Sequence, residues 1–234
     1  MENTAAQFVD RLRALRPPGA EGPDDYHGLA MGQIFGLARE LQDMPPAEIE
    51  RLLDRPAHAV RVGAVSIMDF QARDRRRSSD RKRKLFELYL RRHDRIDTWD
   101  LVDRSAIWVV GEYLVDKPRD VLDRLAASDR PMERRTAILA TFAFIRRNEL
   151  DDAYRIAETL VDDPEDTIHK AVGWMLREAG KRDAARQTAF LERHAATMPR
   201  VMLRYAIEKL DKPIRDRWLA MKTAPPPRTG DDDD

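Results

Sequence analysis

Apolar side chains recur at three- and four-residue spacing through most of this chain, the period of a helix with one buried face. In the first segment Phe8, Leu12 and Leu15 share a stripe. The pattern stops at 16–23, where Pro17, Pro18, Gly19, Gly22 and Pro23 read as a linker. It resumes at 29–41 and is stopped by Pro45 and Pro46. A short helix follows at 47–54, with Pro46 suited to its first turn. Further helices are predicted at 57–71, 80–92, 96–115, 118–127, 130–147, 149–161, 164–179, 182–195, 198–210 and 212–221. The links are short and carry Asp and Pro, as in Asp116-Lys117-Pro118, Asp162-Asp163-Pro164 and Asp211-Lys212-Pro213. No segment alternates as a strand does. The expected organisation is an N-terminal helix at 1–15, a linker at 16–25, a helical repeat domain at 26–222 and a disordered acidic tail at 223–234.

The helices repeat. The phrases Gly63-Ala64-Val65, Thr136-Ala137-Ile138, Lys170-Ala171-Val172 and Tyr205-Ala206-Ile207 recur, and Val102 falls in register between the first two. The β-branched positions 65, 102, 138, 172 and 207 are separated by 37, 36, 34 and 35 residues. That period predicts an all-α fold: a HEAT- or armadillo-like αα solenoid, a curved right-handed superhelical array with a concave basic groove. Small Ala residues let neighbouring helices approach, and the β-branched side chains fill the seams. Gly173, costly inside a helix by about 1 kcal/mol against Ala, predicts close approach of another backbone.

Composition narrows the function. There is no Cys, which removes disulfides, thiol catalysis and thiolate metal sites. The five His show no metal-binding spacing, and no P-loop, dinucleotide fingerprint or GxSxG is present, so no metal and no nucleotide cofactor is expected. The N-terminus lacks a basic segment followed by an apolar one, and no run approaches the roughly 20 apolar residues of a membrane span. A cytoplasmic, nucleoid-associated protein is expected. Formal charge is zero, but four of the acids are Asp231 to Asp234; without them the chain is net positive, and 73–95 is densely basic.

Three residues before each repeat marker stand Val62, Trp99, Arg135, His169 and Arg204, a predicted ladder across one surface. Asp103, one turn beyond Trp99, shares that surface, while Trp174 and Arg177 form a neighbouring stripe. A row of Arg, His and Trp with one Asp suits a site that grips a polyanion and presents a carboxylate to something cationic. Arg200 and Arg204, one turn apart, are placed to straddle phosphates. Taken singly, each of these is as compatible with a buried Trp or a solvated ion pair.

Together, Trp99-Asp100-Leu101-Val102-Asp103, Arg134-Arg135-Thr136-Ala137-Ile138, the run from Lys170 through Trp174 and Arg177 to Glu178, and Leu203-Arg204-Tyr205-Ala206-Ile207 resemble the AlkD-type DNA alkylation repair family, HEAT-like-repeat DNA glycosylases. The resemblance is strong over 96–218 and weaker, though in register, over 26–95. It implies a monofunctional glycosylase that excises cationic N3- and N7-alkylpurines from duplex DNA without base flipping. It implies Asp103 as the catalytic carboxylate and Trp99 and Trp174 as the aromatic pair around the lesion's deoxyribose. Arg135 and Arg177 would lie on the DNA-binding face, with Lys170, Arg200 and Arg204 as further DNA contacts. The expected partner is double-stranded DNA carrying alkylated purines, bound by a monomer. The alternative is a non-catalytic HEAT-repeat scaffold that binds DNA or a protein.

Overall fold

The computed structural model describes residues 3–16, 22 and 26–221. The expected linker lies largely outside the described residues, and the expected tail at 223–234 lies wholly outside them.

Every described element is helical. Six inner helices stack one on the next: α2 (Met31–Glu40), α4 (His58–Arg73), α6 (Trp99–Ala106), α8 (Pro131–Ala140), α11 (Asp166–Gly180) and α13 (Arg200–Ile207). The outer layer is α1 (Ala5–Ala14), α3 (Pro46–Leu53), α5 (Ser79–Arg91), α7 (Asp120–Ala126), α10 (Asp151–Thr159), α12 (Ala184–His194) and α14 (Lys212–Ala220). This is an α-solenoid. The repeat markers hold its seams: Val65, Val102, Ile138 and Val172 are 0% exposed and Ile207 is 1% exposed.

Local chemistry sets the helix ends. The Thr4, Ser78 and Asp183 side chains accept from Gln7, Arg81 and Arg186 backbone N–H groups at the starts of α1, α5 and α12. Pro46 and Pro131 open α3 and α8, where a missing N–H leaves nothing unsatisfied. The first helix is built into the array rather than set apart from it. Phe8 and Leu12 are fully buried, and a Cβ on Gly63 of α4 would stand 2.1 Å from the Phe8 ring.

Two predicted long helices are interrupted. The helix expected over 96–115 begins at Trp99, and after Ala106 it widens into a π-turn, Ile107–Gly111, in which Glu112 N–H donates to Ile107 C=O at 2.9 Å. The helix expected over 130–147 breaks at Thr141, whose hydroxyl donates back to Ile138 C=O at 2.7 Å, and resumes as α9 (Phe142–Ile145).

Gly173 packs α11 on α13. A Cβ there would stand 2.5 Å from Met202 C=O and 2.5 Å from Tyr205 Cβ. Gly173→Ala is therefore expected to destabilise the protein by about 1–3 kcal/mol despite Ala's better helix propensity. Thermal melting checks this: the expected result is a Tm lowered by about 2–10 °C, and an unchanged or raised Tm would show that the seam yields.

Candidate functional site

Where α6, α8, α11 and α13 meet on the inner layer, a cleft of about 480 Å³ is lined by Trp99, Asp103, Arg135, Thr167, Lys170, Trp174, Arg177 and Tyr205. Helix α6 is amphipathic over just eight residues. Leu101, Val102, Ser105 and Ala106 are buried, which turns Trp99 and Asp103 outward one turn apart. Trp99 is 56% exposed, unusual for so large an apolar surface. Trp174 forms the facing wall and is braced by Phe142, ring centroids 6.1 Å apart.

Among the described residues, Asp103 is the one carboxylate that lines the cleft. Its oxygens accept two parallel hydrogen bonds from Arg135, Nε to Oδ1 at 2.7 Å and Nη2 to Oδ2 at 2.8 Å. The third Arg135 donor, Nη1, goes to the Thr167 backbone carbonyl. One guanidinium thus ties α6, α8 and α11 together. The Arg135 side chain is 7% exposed and Asp103's is 27% exposed, so the pair is buried on the arginine side and open on the carboxylate side.

The other cations in the cleft also have partners. Lys170 Nζ sits 2.6 Å from Asp166 Oδ2, which raises the lysine's pKa and lowers that of the aspartate. Arg177 pairs with Glu208 and, at 3.3 Å, with Glu178. Arg200 lies outside the cleft lining, its guanidinium donating to the Leu219 and Met221 carbonyls at 2.5 and 3.3 Å, at the end of α14. Arg204 is exposed and also outside the lining, with no ion pair among the described residues. His169 turns away and bonds the Asp163 carbonyl.

The predicted ladder is therefore kept on α6 and α8 but shifts by one residue further along. Trp99 and Arg135 line the cleft, and then Lys170 and Tyr205 take the places expected of His169 and Arg204. One residue is 100° of helix. In a superhelical array each repeat is rotated on the last, so the inward stripe walks round successive helices. Two lining residues are missing from the sequence analysis: Thr167, whose backbone carbonyl accepts from Arg135, and Tyr205, 38% exposed, although Tyr205 opens one of the recurring phrases.

Behind the cleft, beside Arg135, Thr136 Oγ1 is bonded by His93 Nε2 at 2.9 Å and Tyr89 OH at 3.0 Å. His93 is 3% exposed, and burial lowers its pKa from the usual 6.5. The folded state thus resists a proton that the unfolded chain accepts near pH 6.5. Below that value the unfolded state binds more protons, so stability falls with falling pH, by at most about 1.4 kcal/mol per unit from this group. Melting curves from about pH 8 to pH 5 check it. The stability gap between wild type and His93→Gln is expected to narrow as pH falls, and a constant gap would contradict it.

With this geometry described, comparison with known proteins places the chain. Residues 5–210 match the family described as DNA alkylation repair enzyme. The chain belongs to that family. A solved structure described as a predicted DNA alkylation repair enzyme from Enterococcus faecalis is similar in fold, with a TM-score of 0.62 at 15% identity over 91% of this chain and 99% of that one. No curated protein matches. The family match reaches back through α1 to α5, where the sequence resemblance was weaker. Among the described residues of this family member, no helix is long and apolar enough to cross a membrane.

Proposed function

We propose that the protein is a monofunctional DNA glycosylase that releases cationic N3- and N7-alkylpurines from duplex DNA, with Asp103 as its catalytic residue. One observation carries the reading: among the described residues, the single carboxylate of the lining, held by two hydrogen bonds to Arg135, opens between the Trp99 and Trp174 walls of a cleft that Arg135, Lys170 and Arg177 also line.

A purine alkylated at N3 or N7 already bears positive charge. As the C1′–N bond breaks, its electron pair goes to the purine, which leaves neutral without needing a proton from the protein. Charge then collects on the sugar as an oxocarbenium ion, which the fixed Asp103 carboxylate stabilises. The same carboxylate orients the attacking water and takes its proton. The tryptophan faces hold a cationic sugar by cation–π attraction, about 0.5–2 kcal/mol each. Lys170 and Arg177 leave the lining net positive, so a polyanion approaches despite Asp103. The cleft is open at Trp99, which suits a nucleotide processed in the duplex rather than extruded into a closed pocket.

The Asp103–Arg135 pair also favours a second reading, a scaffold that binds DNA without catalysis, because the carboxylate is already engaged. Incubating the protein with methylated duplex DNA separates the two. Release of N7-methylguanine and N3-methyladenine, leaving abasic sites, is expected. No release alongside tight, salt-dependent duplex binding would leave the scaffold.

A further inference from the structure

Asp103 and Arg135 meet at the front of α6 and α8, and a second set of polar groups meets behind the same two helices. Ser105 follows Asp103 by two residues, about 200° round α6, and Thr136 follows Arg135 by one, about 100° round α8. Both are fully buried. Tyr89 reaches them from the outer helix α5 and is fully buried too. Its hydroxyl bonds that of Thr136 at 3.0 Å and lies beside that of Ser105. His93 Nε2 bonds the same Thr136 hydroxyl at 2.9 Å, and its ring meets the Tyr89 ring edge-on, centroids 5.4 Å apart. Burial pushes the Tyr89 pKa up, and the Asp103 charge acts in the same direction, so Tyr89 stays a neutral hydrogen-bonding group behind the charged pair.

Helix α6 has little of its own to fix its rotation. It is eight residues long, its N-cap Thr98 makes no side-chain capping bond, and its far end runs into the π-turn at Ile107. The Arg135 fork meets both Asp103 oxygens at one relative rotation of α6 and α8. At the rim of a helix, about 5–6 Å from its axis, a turn of about 10° moves a carboxylate by about 1 Å. Misplacement by about 1 Å costs about 10²-fold in rate. An apolar side chain at the back would tolerate such a turn. A buried hydroxyl that must keep its partner does not.

We propose that Tyr89 is a positioning residue for the Asp103–Arg135 pair. Through Thr136 it fixes the rotation of α8, and against Ser105 that of α6, so an outer helix sets the geometry of the carboxylate in the cleft. Tyr89 touches neither the cleft nor the reacting atoms and acts through Arg135. The inference rests on the glycosylase reading, but one of its readouts needs no base release.

The test compares wild type with Tyr89→Phe, which keeps the ring and leaves Thr136 bonded to His93. Single-turnover release from methylated duplex at saturating protein is expected to fall by about tenfold, part of the loss that a 1 Å misplacement brings, with Kd unchanged. On an Arg135→Met background the same substitution should cost nothing further, because the two act on one element. Thr136→Val should repeat the fall, and Thr136→Ser, which keeps the hydroxyl, should restore most of the rate. The Arg135 Nε–H resonance, identified by its absence from Arg135→Met, should exchange with solvent faster in Tyr89→Phe than in wild type. An unchanged rate, or an equal loss with and without Arg135, overturns the positioning role, as does an unchanged Nε–H exchange rate. A lowered Tm with normal release below it would make Tyr89 a stability residue alone and overturns the role equally. Wild type that releases no base overturns the glycosylase reading, while the Arg135 resonance still shows whether Tyr89 holds the pair.

Discussion

Asp103→Asn is expected to abolish base release from methylated duplex DNA while leaving duplex binding intact or tighter. The size of the loss follows from what the carboxylate would do. A fixed charge facing the developing oxocarbenium acts in the transition state far more than in the bound substrate, and removing one such stabilising group lowers kcat by about 10²–10³-fold. Loss of the proton acceptor for water deepens the defect. Binding moves the other way because a negative charge has left a cleft lined by Lys170, Arg177 and Arg135. The Asn carbonyl still accepts from Arg135, so the buried guanidinium keeps one of its two partners there along with the Thr167 carbonyl, and the fold survives. Single-turnover release and a binding titration, on the same lesion duplex, check both halves. Release within tenfold of wild type would remove Asp103 from the chemistry. Loss of binding would mean that the substitution had damaged the cleft.

The parts of this structure legible in the sequence were those set by local periodicity. Val65, Val102, Ile138, Val172 and Ile207 were spaced as repeat markers, and all five are buried. Pro46 at the start of α3 and the close seam at Gly173 follow from residue-level chemistry, and both are present. Trp99 and Asp103 share a face on α6 because residues one turn apart must.

What was not legible depends on how distant segments meet. The π-turn at Ile107–Gly111 sits where a Cβ on Gly111 would stand 2.2 Å from the Ala140 carbonyl, a contact between helices 29 positions apart in sequence. The exchange of Lys170 and Tyr205 for His169 and Arg204 comes from the rotation of one repeat on the next, which a fixed spacing does not encode. Arg104 of α6 lies over the Phe35 ring of α2 at 4.5 Å and the Phe70 ring of α4 at 4.9 Å, a meeting of three segments that no single stretch announces. Arg135 was legible as a cation at the right place but not as one wholly engaged by protein, because its two partners lie on different helices.

That last difference has the second large consequence. As a phosphate contact, Arg135 would tolerate Lys, and its removal would weaken binding and reduce the salt slope by about 0.9. As the residue that positions Asp103, it acts through its fork of donors, which Lys lacks. Arg135→Met is therefore expected to lower the rate of base release by about 10²-fold, since misplacement of a reacting group by about 1 Å has that effect. Kd and salt slope should stay close to wild type. Arg135→Lys should recover part of the stability but little of the rate. Asp103 remains partly solvated when its partner is lost, so the stability loss for Arg135→Met should be about 1–3 kcal/mol, below that of a fully buried broken pair. Single-turnover rates, affinities and melts of the two variants decide between the roles. A normal rate at saturating protein with weakened, less salt-sensitive binding would make Arg135 a phosphate ligand. A lost rate with intact binding would make the Asp103–Arg135 pair one functional unit, in which α8 and α11 hold through a single guanidinium the carboxylate that α6 presents.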